Sequence, residues 1–269
     1  MIRMDSGVAD DPRHRSVLEF LPMERRGLEV APYFNPFTDR EKHDVFYVDC
    51  IDNEEIRRKA AANPGAAGAK VPAIDAVWEP GKLLAQCVRG RRFGWALASH
   101  VMEHVPNPLG WLSEIVECLE DGGMLALLLP DRRGTMDYYR RETTFAEVVG
   151  WSIEQPSRPT PTQVMDFLSQ GFMDTGTLDF ARMPAFADAP RHYSDRDALS
   201  FARMAQDLGT YLDAHVSVWT PESFEAVFRR VTELGLLPAA VTGIHRALPG
   251  FHPAEFLVLM RKQPGVPAA

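Results

Sequence analysis

Residues 93–132, FGWALASHVMEHVPNPLGWLSEIVECLEDGGMLALLLPDR, constrain the fold more than any other stretch. Trp95 to Ala98 is an apolar run too short for a helix and suited to a buried strand. Asn107 and Pro108 supply an N-cap and a first-turn proline. Leu109, Leu112, Ile115, Val116 and Leu119 follow at helical spacing, so one face of that helix is expected to be buried. Gly122 and Gly123 stand where a left-handed helix stop is expected, and Met124 to Leu129 reads as a second buried strand closed by Pro130 and Asp131. Two fully apolar strands joined by a helix make a right-handed crossover in a parallel sheet. In such sheets a ligand sits beyond the carboxyl ends of the strands, here Ser99-His100 and Pro130-Asp131.

A chain of 269 residues holds one α/β domain with a sizeable insertion, or two small domains. Its net charge of −8, with no basic run, argues against a nucleic-acid partner. No stretch reaches the length of a membrane span, so no membrane partner is expected, and the amino terminus is too polar for a signal peptide. Cys50, Cys87 and Cys118, odd in number and without a CxxC pair, read as thiols of a reducing cytoplasm. Residues 1–22 form a polar arm. Candidate strands follow at Gly27–Ala31, Val45–Val48 (ending on Asp49) and Ile74–Trp78, with helices at Glu54–Ala62 and Leu83–Val88. Residues 132–219, rich in proline and aromatics and without strand alternation, read as a helical insertion. Thr220-Pro221 opens a helix with Phe224, Val227, Phe228, Val231 and Leu234 on one face, and Ala239–His245 and Ala254–Met260 suit an antiparallel hairpin.

That order, with SHVMEHVPNPLGWLSEIVECLEDGGMLALLLPD at its centre, resembles the class I S-adenosylmethionine-dependent methyltransferases, in their methyltransferase-11-like branch. LEVAPYFNPF, FYVDCIDNEEIRRK, PDRRGTMDYYRRET, DAHVSVWTPESF and EFLVLMRK are similar to pieces of a bacterial subgroup often encoded near glycan-biosynthesis genes. The resemblance implies a Rossmann-like seven-stranded α/β sheet, mostly parallel with a reversed last strand, formed by residues 23–131 and 220–263, with 132–219 as a lid over the acceptor site. It implies S-adenosylmethionine as cofactor, held by the loop Glu29, Ala31, Pro32 and Tyr33, by Asp49 on the ribose hydroxyls, by Trp78 and Glu79 near the adenine, and by Ser99 and His100. Asp49 ends a strand of the right ordinal number for a ribose acid, although an aspartate there also suits a turn cap. The first loop departs from the family, whose pattern is E-x-G-x-G or E-I-G-P. Ala31 replaces a glycine, which is costly if that position needs a positive φ, and Tyr33 is large where a small residue is common. Three readings stay open: the cofactor still binds, the pocket serves another one-carbon carrier such as a folate, or the domain is a non-catalytic relative.

Methyl transfer to a hydroxyl requires in-line positioning and a base for the departing proton. Candidates are His100, His192 and His215, each of which also reads as a structural or surface histidine. His100-Val-Met-Glu103-His104 matches the H-x-x-E-H metal motif, but His100 ends a strand and Pro106 and Pro108 break the turn beyond it. No metal is therefore expected. Asp131, Tyr138, Tyr139, Arg140 and Arg141 follow the fifth strand where acceptors often bind, and an arginine there suits a carboxylate or phosphate as well as a solvated helix face. Phe167, Phe172, Met173, Phe180 and Met183 read as lid core or as the wall of an apolar pocket. The expected activity is transfer of a methyl group to a small-molecule acceptor, at oxygen, with a homodimer left open.

Overall fold

The computed structural model describes residues 11–63, 66, 69, 71–79, 81–172 and 179–265; residues 1–10 of the arm and Met173 lie outside them. Seven strands, β1 (Gly27–Val30), β2 (Val45–Asp49), β3 (Ala76–Val77), β4 (Phe93–Ser99), β5 (Leu119–Pro130), β6 (Ala239–His245) and β7 (Glu255–Lys262), form one sheet in the order β3-β2-β1-β4-β5-β7-β6. Its pairs are parallel except where β7 meets β5 and β6. The last strand is therefore the reversed one, as the resemblance implied.

The eight helices among the described residues are α1 (Pro12–Leu18), α2 (Asn53–Ala62), α3 (Leu84–Cys87), α4 (Pro108–Cys118), α5 (Phe145–Glu154), α6 (Pro161–Gln170), α7 (Asp195–Leu208) and α8 (Pro221–Glu233). Asn107 caps α4, its side chain accepting from the Gly110 N–H at 3.0 Å. Leu112, Ile115 and Val116 of that helix are fully buried, each stabilising the fold by about 1.5–3 kcal/mol. The helix is shorter than the spacing suggests. It ends at Cys118, and Leu119 already pairs with Phe93 as the first residue of β5. Gly122, at φ +73°, lies in an irregularity of β5 instead of stopping a helix. The third strand likewise contracts to two residues and the helix after it to four.

The two faces of the sheet are covered differently. On one, α4, α5 and α8 join Leu28, Val30, Ala96, Leu125 and Leu127 in the larger core. On the other, Val17 and Leu21 from the amino-terminal segment pack with Phe37, Tyr47, Trp95 and Leu97. Trp95 lies so close to Gly27 that a Cβ there would overlap its indole at 1.9 Å, so only glycine fits. Between β1 and β2, among residues 31–44, no helix forms, and α1 occupies that face instead. Within 132–219, α5 buries Val148 in the larger core, while α6 and α7 pack together around Val164, Ala202 and Ala205. Among the described residues no helix is long and apolar enough to cross a membrane.

Candidate active site

The carboxyl ends of β1, β2 and β4 meet at one edge of the sheet. β1 stops because Ala31 turns left-handed at φ +51°, and Tyr33 repeats that conformation two residues on. A non-glycine residue there carries about 1–2 kcal/mol of strain, which is the penalty the sequence implies at Ala31. Asp49 ends β2 and is buried. Its Oδ1 accepts from the Ile51 N–H at 3.2 Å, whereas Oδ2 has no hydrogen-bond partner among the described residues. Burial raises its pKa, opposed by the Ile51 amide, by the Cys50 thiol and amide and by the Tyr33 amide. A buried acceptor left open beside a strained loop is what a pair of ligand hydroxyls would satisfy. Trp78 follows β3 and stacks on Trp111, centroids 6.4 Å apart and planes 13° from parallel, while Glu79 is exposed and pairs with Lys82.

Glu29 points elsewhere. Its carboxylate accepts from the Phe37 N–H at 2.7 Å and from the amide and hydroxyl of Thr38 at 3.1 and 2.5 Å. Burial outweighs these bonds and pushes its pKa up to about 7. It shapes the loop from within and is not turned to the cleft.

Beyond β4 the second half of the site is built from histidines and carboxylates. His100 is left-handed at φ +53°, which turns its ring between Glu255 (3.0 Å) and the buried Glu103 (3.3 Å). Partial desolvation opposes its charge, but these two carboxylates raise its pKa to about 9. Held between these two carboxylates, His100 favours its protonated form. Glu255 is buried and bound through both oxygens by Arg13 at 2.7 Å, and that arginine outweighs burial to hold Glu255 near 2. Glu103 lies in a single 3₁₀ turn, Met102–His104, with its Oε2 buried and unpartnered among the described residues.

His215 arrives from the segment before α8. Its Nδ1 lies 2.5 Å from Asp137, its ring stacks on Phe167, and the His104 ring stands perpendicular to it with centroids 4.7 Å apart. Asp137 is buried, and the hydrogen bonds of His215 and Arg140 lower its pKa against the effect of burial. His104 hydrogen-bonds Asp213 at 2.8 Å. Desolvation raises the Tyr33 phenol first, with the charges of Asp49, Glu55 and Asp213 adding to it.

Other expected site residues are placed differently. Arg140 is 2% exposed and engaged by Asp137 and Asp166 at 2.7 Å each, so it braces the histidine instead of presenting a cation. Asp131 is held by the Arg133 side chain and N–H. Arg141 is exposed and pairs with Glu147. His192 is exposed, its ring against Tyr193, and takes no part in the cluster. Tyr138 and Tyr139 pack edge to face in an aromatic group with Phe172 and Phe180, and the Tyr139 hydroxyl donates to the Pro184 carbonyl. Ser99 ends β4, 3.5 Å from Arg13. Arg13 carries no local sequence signal for this site. Glu103, Asp137, Asp213 and Glu255 do stand in the pieces that carry the family resemblance.

The model of a family described as "Methyltransferase domain" matches residues 22–231. Among solved structures, the CcbJ methyltransferase from Streptomyces caelestis is 14% identical, covers 96% of this chain and 93% of its own, and superposes with a TM-score of 0.48. An S-adenosylmethionine dependent methyltransferase from Mesorhizobium loti is 14% identical, covering 95% and 100%, at 0.47. The 1,6-didemethyltoxoflavin-N1-methyltransferase of Burkholderia thailandensis is 13% identical, covering 94% and 80%, at 0.45. None of the curated proteins compared with the chain matches it.

Proposed function

Because the chain belongs to the methyltransferase-domain family, we propose that it moves a methyl group from S-adenosylmethionine to a hydroxyl oxygen of a small molecule. The observation that carries this reading is the open, buried Oδ2 of Asp49 at the end of β2, beside the left-handed turn at Ala31 and Tyr33. The residues present fit the cofactor: Asp49 would accept from its ribose hydroxyls, and Trp78, backed by Trp111, would flank its adenine.

The cofactor, when bound, supplies an electrophilic methyl group on a sulfonium. The chain's residues then have two tasks, holding the acceptor in line and receiving its proton. With Asp137 on its Nδ1, His215 would present Nε2 to the acceptor and would take the hydroxyl proton there. Arg140 fixes Asp137, and Phe167 covers the imidazole face. We read residues 132–219 as the lid over this acceptor, with Tyr138, Tyr139, Phe172 and Phe180 as its apolar wall. Small-molecule size follows from this wall and from the acidic charge, which suits no polyanion.

Calorimetric titration of the full chain with S-adenosylmethionine and with S-adenosylhomocysteine tests the reading. Saturable binding of both is expected. Absence of heat from protein that is folded by circular dichroism would overturn it, and folates would then be titrated as the rival carriers.

A further inference from the structure

We propose that Glu103, His104 and His215 form a binding site for a first-row divalent transition ion, of which zinc is the natural probe. One ligand atom from each lies within 4.8 Å of the others. A four-coordinate ion at about 2.0–2.1 Å from each donor would set them about 3.3 Å apart, so the donors must close by up to about 1.5 Å to complete the set.

Three further observations separate this cluster from a chance grouping. Glu103 is 1% exposed, and its Oε2 is buried with no hydrogen-bond partner among the described residues. A carboxylate oxygen in that state awaits a cation or a donor. Each histidine already has its Nδ1 against a carboxylate, His104 on Asp213 at 2.8 Å and His215 on Asp137 at 2.5 Å. That arrangement fixes the tautomer and frees both Nε2 atoms for a metal, as outer carboxylates do in metal sites generally. Asp137 is braced in turn by Arg140 at 2.7 Å, so the support is two layers deep on that side.

Two imidazoles and one carboxylate favour zinc, cobalt, nickel or iron(II) over magnesium or calcium, which prefer oxygen throughout. Three protein ligands leave a coordination position open. We assign it to the acceptor of the proposed methyl transfer, and the inference rests on that reading only in assigning the open position to an acceptor oxygen. With the ion present, His215 acts as ligand and the ion takes over the polarising of that oxygen. The H-x-x-E-H motif contributes differently from its usual form: His100 pairs with Glu255 at 3.0 Å and with the other oxygen of Glu103, Oε1, at 3.3 Å, and the third ligand comes from His215 instead.

The test uses the full chain dialysed against a chelator and then titrated with zinc, cobalt(II) and magnesium. One zinc or cobalt ion per chain is expected, with cobalt d–d absorption bands typical of nitrogen and oxygen ligands and no heat from magnesium. His104→Ala should weaken binding by at least ~100-fold, and Asp213→Asn, at a 72% exposed side chain, by on the order of 10-fold without disturbing the fold. Absence of zinc and cobalt binding, or binding that both variants leave unchanged, would overturn the site. In that event chelator-insensitive methyl transfer would leave His215 as the base. Conversely, metal binding without any affinity for S-adenosylmethionine would keep the site and remove the proposed function.

Discussion

The two halves of the site are made in opposite ways. At the ends of β1 and β2 the backbone does most of the work: two left-handed residues, a strand that stops, and one carboxylate at its tip. Beyond β4 and β5 side chains do it, and Glu103, Asp137, Asp213 and His215 come from three separate segments. The contrast extends to buried carboxylates. Glu29, satisfied by neutral donors, is driven up to about 7, whereas Glu255, gripped by Arg13 and His100, is held near 2. Neutral hydrogen bonds do not compensate a desolvated charge, and a guanidinium does. One half thus offers a shaped backbone and a single open acceptor, and the other is a network of paired charges.

If the halves are independent, His215→Ala should lower turnover by about 10²–10⁴-fold while leaving S-adenosylmethionine affinity intact, measured by steady-state assay on a screened acceptor and by calorimetry. An equal loss in both would erase the distinction. The carboxylates should differ with pH. Because folding raises the pKa of Glu29 from 4.5 to about 7, its contribution to stability is fully present below 4.5 and lost as pH rises through 7, on the order of 3 kcal/mol. Glu255 runs the other way, its contribution being present above 4.5 and lost as pH falls towards 2. Urea unfolding of the wild type and of Glu29→Gln between these limits should show the slope flatten in the variant. At the tip of β2, Asp49→Ala should cost about 1.5–3 kcal/mol in cofactor affinity with little change in unfolding midpoint. Loss of fold instead would recast Asp49 as structural. The smallest effect is expected from Ala31→Gly, which relieves the left-handed strain and should stabilise by about 1 kcal/mol, read as a rise in Tm of roughly 2–4 °C.

The β4–α4–β5 unit was legible because each of its signals is local: an apolar run, Asn107 with Pro108, and a periodic face. Its one misplaced boundary has a physical cause. Leu119 satisfies the helical spacing and is buried, yet a buried leucine opposite Phe93 suits a strand equally well. Asp49 was legible for the same reason, as an acid closing a strand. The charge network was not. Arg140 beside two tyrosines looks like a substrate cation, and only the three-dimensional arrangement brings Asp137 and Asp166 onto it. His215 was a candidate among three, but its partner Asp137 lies far away in sequence, and the grip of Arg13 on Glu255 spans almost the whole chain. Contacts of that kind leave no period or spacing to read.

The anchoring of the β1–β2 connection by Glu29 has a consequence for how that segment breathes. Loop amides ordinarily exchange their hydrogens with solvent through small, frequent openings. Those of Phe37 and Thr38 instead donate to the Glu29 carboxyl sealed beneath the loop, so releasing either one leaves a buried acceptor unpaired. Their deuterium uptake should lag behind the rest of the loop and keep pace with the central strands. This helix-free stretch would then open with the sheet it borders, in a single cooperative unit.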